Sequence, residues 1–451
     1  MTDLLLGIDV GTTACKAAVV DRAGVERAHG QAPTPWQRVP TGAEIDPEAL
    51  CAAALAAAGA ALADAPEGDV RGVGVTSMAE TGVLLDDGGV PVAPAIAWHD
   101  ARGADEARAF AAALGERRFV RTTGLPAGPL CSLAKLGWVR DHVPDARRGT
   151  RWLNVGEWVV RRLGGRDVAE LSLASRTGLL DLRARAPFHD ALAWAGLPDD
   201  LMGELVVAGT ACGVVDEAVL PAAAGAALTV AGHDHLAAGI GVGVVAAGDV
   251  LDSCGTAEAL IAIVAPPLEP DAIEASVAGG VTVGWHVAPD RHALLGSLWS
   301  GLALQEVLDA LGAGSDRRSE LDAGALATAP GEAPAFELEL HSLERRPLTL
   351  PSGHAPEHIW RAAIDSANRE VAALLAHIDA VAGPHRRLVV AGGWARDPAV
   401  LAARRSLGAV QAPAAVQAGA RGAALLSGVA AGIFTSADAL PDASVRHQEV
   451  V

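Results

Sequence analysis

The sequence predicts an α/β fold built as two domains of comparable size that face each other across a cleft. Three observations predict it. An apolar strand that breaks into a Gly-Thr turn and returns as a second strand occurs twice, at 4–20 and at 248–263, about 245 positions apart. Strand-like and helix-like segments alternate between and after the two copies. At 451 residues the chain is too long for one ordinary core, and its 51% hydrophobic content comes from Ala, Val and Leu rather than aromatics, which suits compact layers of sheet and helix. The expected boundary lies near 245, giving an N-terminal domain over 1–245 and a C-terminal domain over 246–451.

Leu4-Leu5-Leu6-Gly7-Ile8 reads as a buried strand that delivers Asp9 to Gly11-Thr12-Thr13, and Lys16-Ala17-Ala18-Val19-Val20 returns beside it. A turn at 21–24 leads into a third strand near 25–31. Asp46 and Pro47 mark a helix start, as N-cap and first helical residue, and alanine-rich turns carry that helix to about 63. A buried-type strand at 69–75 follows, then a shorter one with a tight turn at 83–89. Helical spacing occupies 104–114, 132–141 and 157–163, the last closed by Gly164-Gly165. Short strands, turns and small helices fill 166–230, and a small-residue helix follows Ala231-Gly232-His233-Asp234-His235. Beyond the second strand–turn–strand come helices over 300–311 and 357–382. A strand at 388–391 then breaks into Gly392-Gly393, and a small-residue helix over 419–433 closes the fold.

Composition excludes several classes. A formal net charge of −19 argues against nucleic acid and anionic membranes as partners, because both want a basic face. Five scattered cysteines with no CxxC pair argue for reduced thiols and a cytoplasmic setting rather than a disulfide scaffold or structural zinc. Asp3 and Asp9 interrupt the first apolar run, which argues against a signal peptide. The apolar stretch 236–248, bounded by Asp234 and Asp249, is shorter than the roughly 20 residues a span needs.

Chemistry concentrates in a few places. In the two Gly-Thr turns, at Gly11-Thr12-Thr13 and Gly255-Thr256, glycine admits a close ligand and successive N–H groups form an anion nest. Phosphoryl transfer needs such donors on several sides of the phosphates, with a cation among them. A pair of ordinary hairpin turns is the plainer reading of the same residues. Asp234, between strand and helix, could accept the proton of an attacking hydroxyl or merely cap the helix. His233 and His235 flank it, but three ligand-type residues in a row cannot all face one ion from a helix, which argues against a metal site there. Glu80, Trp98, Asp100 and Arg102 gather acid, aromatic and base near strand ends, as a polyol pocket or as a surface ion pair beside a packed indole. Gly239-Ile240-Gly241-Val242-Gly243 sits at a helix end, not at a strand-to-helix turn, and is discarded as a dinucleotide fingerprint.

In their order and spacing, these features resemble the FGGY family of carbohydrate kinases, within the actin/Hsp70/sugar-kinase superfamily, from about 4 to 434. The resemblance is carried by Asp9-Val10-Gly11-Thr12-Thr13 with Lys16, by Trp98-His99-Asp100-Ala101-Arg102, and by Ser172-Leu173-Ala174-Ser175-Arg176-Thr177. Gly232-His233-Asp234, Asp252-Ser253-Cys254-Gly255-Thr256-Ala257, Ala391-Gly392-Gly393 and Gly419-Ala420-Arg421-Gly422-Ala423-Ala424 complete it. It implies two ribonuclease-H-like (actin-like ATPase) domains with mixed sheets flanked by helices around a central cleft. Sugar would bind mainly to the first domain and MgATP between both.

By position, the resemblance makes Asp234 the catalytic base and Asp9 the Mg²⁺ holder, through water in many such sites. Gly11, Thr12, Thr13, Lys16, Gly255 and Thr256 would surround the phosphates, and Gly392 and Gly393 would contact the nucleotide. Glu80, Trp98, Asp100 and Arg102 would line the sugar pocket with Asp234. Ala79-Glu80 keeps the acid of the Arg-Glu pair that glycerol kinases carry there and lacks the arginine. Trp98-His99-Asp100-Ala101-Arg102 looks more like the Trp-x-Asp-x-Arg of pentulose kinases. Carboxylates at 80 and 100 would repel an acidic sugar, which ranks gluconate below neutral ketoses and polyols.

The expected activity is therefore ATP-dependent phosphorylation of a small neutral sugar, a ketopentose such as D-xylulose first. Glycerol or another polyol, a hexulose and gluconate are alternatives. A non-catalytic sugar or nucleotide sensor on the same fold is the alternative of another class. A homodimer is compatible with this reading.

Overall fold

The computed structural model describes residues 2–329, 331–342, 347–408, 410–413, 417–441 and 447–448. Its frame is a pair of mixed sheets. The first has six strands in the order Gly213–Val214, Ala227–His233, Asp69–Ser77, Asp3–Val10, Ala14–Asp21, Glu26–Pro33. Asp3–Val10 runs parallel to Asp69–Ser77 and antiparallel to Ala14–Asp21. The second sheet runs Val281–Trp285, His292–Leu298, Glu258–Val264, Asp249–Cys254, Arg387–Ala391, Val410–Pro413, His447–Gln448. There Asp249–Cys254 is antiparallel to Glu258–Val264 and parallel to Arg387–Ala391. Each sheet thus has a central strand with an antiparallel meander on one side and parallel strands on the other, the plan a duplication predicts.

Local chemistry accounts for the elements. Asp46 caps the helix Pro47–Ala63, its carboxylate accepting from the amides of Glu48 and Ala49. That helix is alanine-rich and packs closely on strands Ala14–Asp21 and Glu26–Pro33. Strands Asp3–Val10 and Ala14–Asp21 are apolar and almost wholly buried because a helix covers each face of the sheet.

The second face is covered from the far end of the chain. Helix Ala418–Ala430 lies across Asp3–Val10 and Asp69–Ser77 of the first sheet and crosses helix Asp234–Gly241. The crossing demands small residues: a Cβ on Gly422 would stand 1.7 Å from the carbonyl oxygen of Ala237, and one on Gly7 would stand 1.8 Å from that of Ala420. Leu236 and Ile240 of the crossing helix instead share a core with Leu251, Ile261 and Val389 of the second sheet. Residue 245 therefore separates the two sheets, while the helices between them are exchanged. Gly241, discarded as part of a nucleotide fingerprint, belongs to this crossing, where a Cβ would stand 2.0 Å from the Ala418 carbonyl oxygen.

Several elements go beyond the sequence reading: helices Glu116–Thr123, Pro270–Ala278 and Ser315–Ala327, and strands Val281–Trp285 and His292–Leu298. Val281–Trp285 also docks on the first half. The Val283 amide donates to the Gly124 carbonyl at 2.9 Å, and the Trp285 indole donates to the Leu182 carbonyl at 3.1 Å.

Candidate active site

Three adjacent parallel strands of the first sheet, Asp3–Val10, Asp69–Ser77 and Ala227–His233, end on the same edge. Beyond that edge stand Asp9, Glu80 and Asp234. Such an edge is where ligands bind in α/β sheets, because chains leaving strand ends diverge and leave a crevice.

Asp9 occupies the end of the central strand, in register with Lys16 on one side and Thr76 on the other. Its Oδ1 is buried and has no hydrogen-bond partner among the described residues. Burial, and then the charge of Asp234, pushes its carboxyl up to about 7, while Lys16 and His235 act the other way. A buried carboxylate oxygen with no donor costs free energy unless a cation meets it, so Asp9 fits a Mg²⁺ ion. Gly419 keeps the space open, since a Cβ there would stand 2.5 Å from Asp9 Oδ2.

The turn after Asp9 is braced from behind. Thr34 Oγ1 donates to the Gly11 carbonyl at 2.7 Å, and the Trp36 indole donates to the Thr12 carbonyl at 2.6 Å. The Trp98 indole donates to Thr12 Oγ1 at 2.9 Å. With the carbonyls held back, the amides of Thr12 and Thr13 make no hydrogen bond among the described residues. Thr13 is exposed at the tip.

Asp234 opens helix Asp234–Gly241, but the N-cap is His233, with extended backbone and no side-chain cap bond. The capping reading of Asp234 therefore does not hold. Its Oδ1 accepts from the His235 amide at 2.7 Å and lies 3.3 Å from His233 Nε2. Burial, with the Glu80 charge adding to it and Lys16 and the His235 amide opposing, pushes its carboxyl up to about 7. The His233 backbone is pinned by Ser172 Oγ, which accepts its amide at 3.0 Å and donates to Glu170 Oε2 at 2.6 Å. Because His233 still belongs to the strand, the ligand atoms of His233, Asp234 and His235 all lie within 4.8 Å of one another. The geometric objection to their convergence was wrong: it assumed that all three sit on a helix.

Glu80 follows strand Asp69–Ser77 with φ +62°, a left-handed backbone that is strained for a side-chain-bearing residue. Ser132 Oγ holds its carbonyl at 3.0 Å, and Arg176 Nε donates to its Oε1 at 2.7 Å. Trp98 lies parallel to Trp299 of the second half, with ring centroids 6.3 Å apart and planes 2° apart. An indole from each half therefore meets above Thr12.

Asp100 and Arg102 stand elsewhere. Arg102 donates to Asp100 Oδ2, Glu44 Oε2 (2.9 Å), Thr41 Oγ1 and the Ala43 carbonyl. Asp100 Oδ2 also accepts from the Ala43 amide at 2.7 Å, and Oδ1 from the Arg102 amide at 2.8 Å. Burial opposes the Asp100 charge, but these donors hold its carboxyl below the ordinary range. Lys135 donates to the carbonyls of both residues. The polar atoms of Asp100 and Arg102, the residues expected to line the sugar pocket, are engaged in one buried cluster. The argument that Glu80 and Asp100 repel an acidic sugar weakens, since each has an arginine partner.

In the second half, strands Asp249–Cys254 and Arg387–Ala391 are parallel neighbours, with Ser253 opposite Ala391. That pairing brings Gly255-Thr256 and Gly392-Gly393 to one edge. Gly392 has φ +105°, and a Cβ there would stand 2.5 Å from the Cys254 carbonyl oxygen; a Cβ on Gly393 would meet nothing within 4 Å. Asp252 faces away from this edge. Its Oδ2 accepts from Arg404 Nε at 2.8 Å, and Arg404 also pairs with Glu258, all three fully buried.

Sequence reasoning missed Arg176, Thr282, Trp299 and Arg404. Arg176 lies in a stretch that carries the family resemblance, yet no spacing ties it to Glu80, 96 positions away. Trp299 meets Trp98 only once the two halves are assembled.

Comparison with known proteins bears on this arrangement. Residues 4–241 match the FGGY family of carbohydrate kinases, N-terminal domain. A glycerol kinase of Acidovorax ebreus (strain TPSY) is 32% identical over 97% of this chain and 92% of its own length. A xylulose kinase of Streptomyces rubiginosus is 32% identical over 99% of this chain and 91% of its own. The crystal structure of xylulose kinase from Rhodospirillum rubrum superposes with a TM-score of 0.87 at 24% identity, covering 99% of this chain and 93% of that one, a likeness of fold. With more than half the chain inside the family's N-terminal domain and relatives above 30% identity along nearly all of it, the protein belongs to the FGGY family of carbohydrate kinases, on the actin-like ATPase fold.

Proposed function

We propose that this kinase transfers the γ-phosphoryl group of MgATP to a terminal hydroxyl of a small neutral sugar, with a ketopentose such as D-xylulose as the leading substrate. The observation that carries the reading is Asp234: a carboxyl poised near neutrality beside the unpartnered oxygen of Asp9, on the edge where the first Gly-Thr turn opens. Asp234 would accept the proton of the attacking hydroxyl, held in orientation by the His235 amide and His233. Asp9 would hold Mg²⁺, whose charge offsets that on the phosphoryl oxygens. The amides of Gly11, Thr12, Thr13 and Thr256, with the Lys16 ammonium, would cradle the phosphates, beside Gly255, whose own amide donates to the Ser253 carbonyl at 3.0 Å. Gly392 and Gly393 leave room for the nucleotide against the backbone. The Trp98–Trp299 contact would help exclude water from the sugar side.

Glycerol is the second reading, favoured by Glu80 and by the glycerol kinase relative at 32% identity. ADP release measured across pentuloses, hexuloses, polyols and aldonates tests both. The leading reading expects the highest kcat/KM with D-xylulose. A glycerol maximum would replace it with the second, and ADP release unstimulated by any sugar would point to a sensor instead.

A further inference from the structure

Glu80 and Arg176 form a half-used pair. Arg176 Nε donates to Glu80 Oε1 at 2.7 Å, with the two side chains only 13% and 10% exposed. Arg176 Nη1 donates to Thr282 Oγ1 at 2.7 Å, and Thr282 Oγ1 in turn donates to the Leu295 carbonyl at 3.0 Å. A guanidinium is a rigid plane, so two anchored nitrogens fix the third. Among the described residues, Arg176 Nη2 and Glu80 Oε2 have no hydrogen-bond partner. The strained backbone of Glu80, tied down by Ser132, holds its carboxylate in this position. Both charges act on the Asp234 neighbourhood, Glu80 on Asp234 itself and Arg176 on His233 and His235.

We propose that Arg176 is a substrate-binding residue that, with Glu80, recognises two neighbouring hydroxyls of a neutral polyol while Asp234 takes the terminal one. Arg176 Nη2 donates to one hydroxyl oxygen and Glu80 Oε2 accepts from the next. One fixed donor beside one fixed acceptor suits a vicinal diol, in which each hydroxyl can play either part. A sugar carboxylate would have to compete with Glu80 for the same guanidinium, so the pair selects neutral substrates. Because Thr282 belongs to the second sheet, docking of the two halves sets the aim of the Arg176 plane. The inference rests on the kinase reading for the role of Asp234, but not for the recognition itself.

Calorimetric binding to the full chain, without nucleotide, tests it. D-xylulose is compared with 1,5-pentanediol and glycerol with 1,3-propanediol, pairs that keep chain length and terminal hydroxyls but remove interior oxygens. Arg176→Met is expected to lower the preference for the polyhydroxylated member by about 10- to 100-fold, the scale of a hydrogen bond to a charged group. Arg176→Lys and Thr282→Val should lose part of it. Melting temperature and ATP affinity check that each variant is folded; if Arg176→Met is not, the other two carry the test. Undiminished preference in the folded variants overturns the proposal, as does a wild-type protein that binds none of the four probes. Arg176-dependent binding without sugar-stimulated ADP release would sink the kinase reading and leave this one standing.

Discussion

In the first half, the carboxylate at the end of the central strand, Asp9, has one buried oxygen with no partner among the described residues. In the second half, Asp252 on the matching strand is closed between Arg404, Cys254 and the neighbouring Glu258. The difference comes from counting. Asp9 stands two residues before Gly11, whereas Asp252 stands three before Gly255. Side chains alternate along a strand, so an offset of one turns the side chain to the opposite face. The residue in the place of Asp9 is Ser253, and Asp252 points with Cys254 towards the helices that cover the second sheet. The same device thus holds a carboxylate open to a ligand in one half and uses one to fasten the core in the other.

The largest expected effect is on Asp234. Asp234→Asn should lower kcat about 10²- to 10⁴-fold, the usual contribution of a general base, with ATP affinity within a few-fold of wild type. Full turnover would remove Asp234 from its role. In the second half, Arg404→Met should cost about 3–5 kcal/mol of stability, because it strands two buried carboxylates. Denaturant unfolding measures it, and a small effect would show the cluster to be dispensable. Asp9→Asn should do the reverse, lowering sugar phosphorylation while holding or raising the melting temperature without Mg²⁺, since it removes a buried carboxylate oxygen that has no partner among the described residues. Lower stability in that variant would erase the contrast between the halves.

An effect confined to pH dependence comes from Glu157, which among the described residues has no arginine partner and has no place at the site. Among the described residues, its oxygens accept only from the Asn154 amide and side chain and from the Glu170 amide. Burial, with the Glu170 charge adding to it, pushes its carboxyl up to about 8 against the opposing hydrogen bonds. A folded value above the unfolded one, about 4.3, means that the protonated form is favoured by folding. Its contribution is complete below the unfolded value and is lost as pH rises through about 8. Glu157→Gln should flatten that fall in melting temperature between pH 5 and pH 9. An unchanged slope would show that the carboxyl is already neutralised by something other than a proton.

Some of this is legible without a structure. Helix Pro47–Ala63 announces itself, because Asp46, Pro47 and the alanine run each act on their own neighbours. Both strand–turn–strand units are local in the same way, and so are the strand that ends in Gly392 and the small residues of the closing helix. Strands Val281–Trp285 and His292–Leu298 are short and pair with each other, with Glu258–Val264 and with a loop of the first half, so little in their own composition declares them. Asp100 and Arg102 show the limit at the site, since spacing put them beside Trp98 but could not reveal that Glu44 and Ala43 use up their polar atoms.

By itself, then, the sequence determined the duplicated α/β plan, the two Gly-Thr turns, and the positions of Asp9 and Asp234 at the ends of apolar strands. These follow from hydrophobic periodicity, glycine geometry and capping, which act over a few residues. Tertiary structure alone decided which carboxylates are free. Whether Asp252 meets Arg404, Glu80 meets Arg176 or Trp98 meets Trp299 depends on side chains 152, 96 and 201 positions apart. Their encounter is set by strand order, by facing parity and by the exchange of two helices between the sheets.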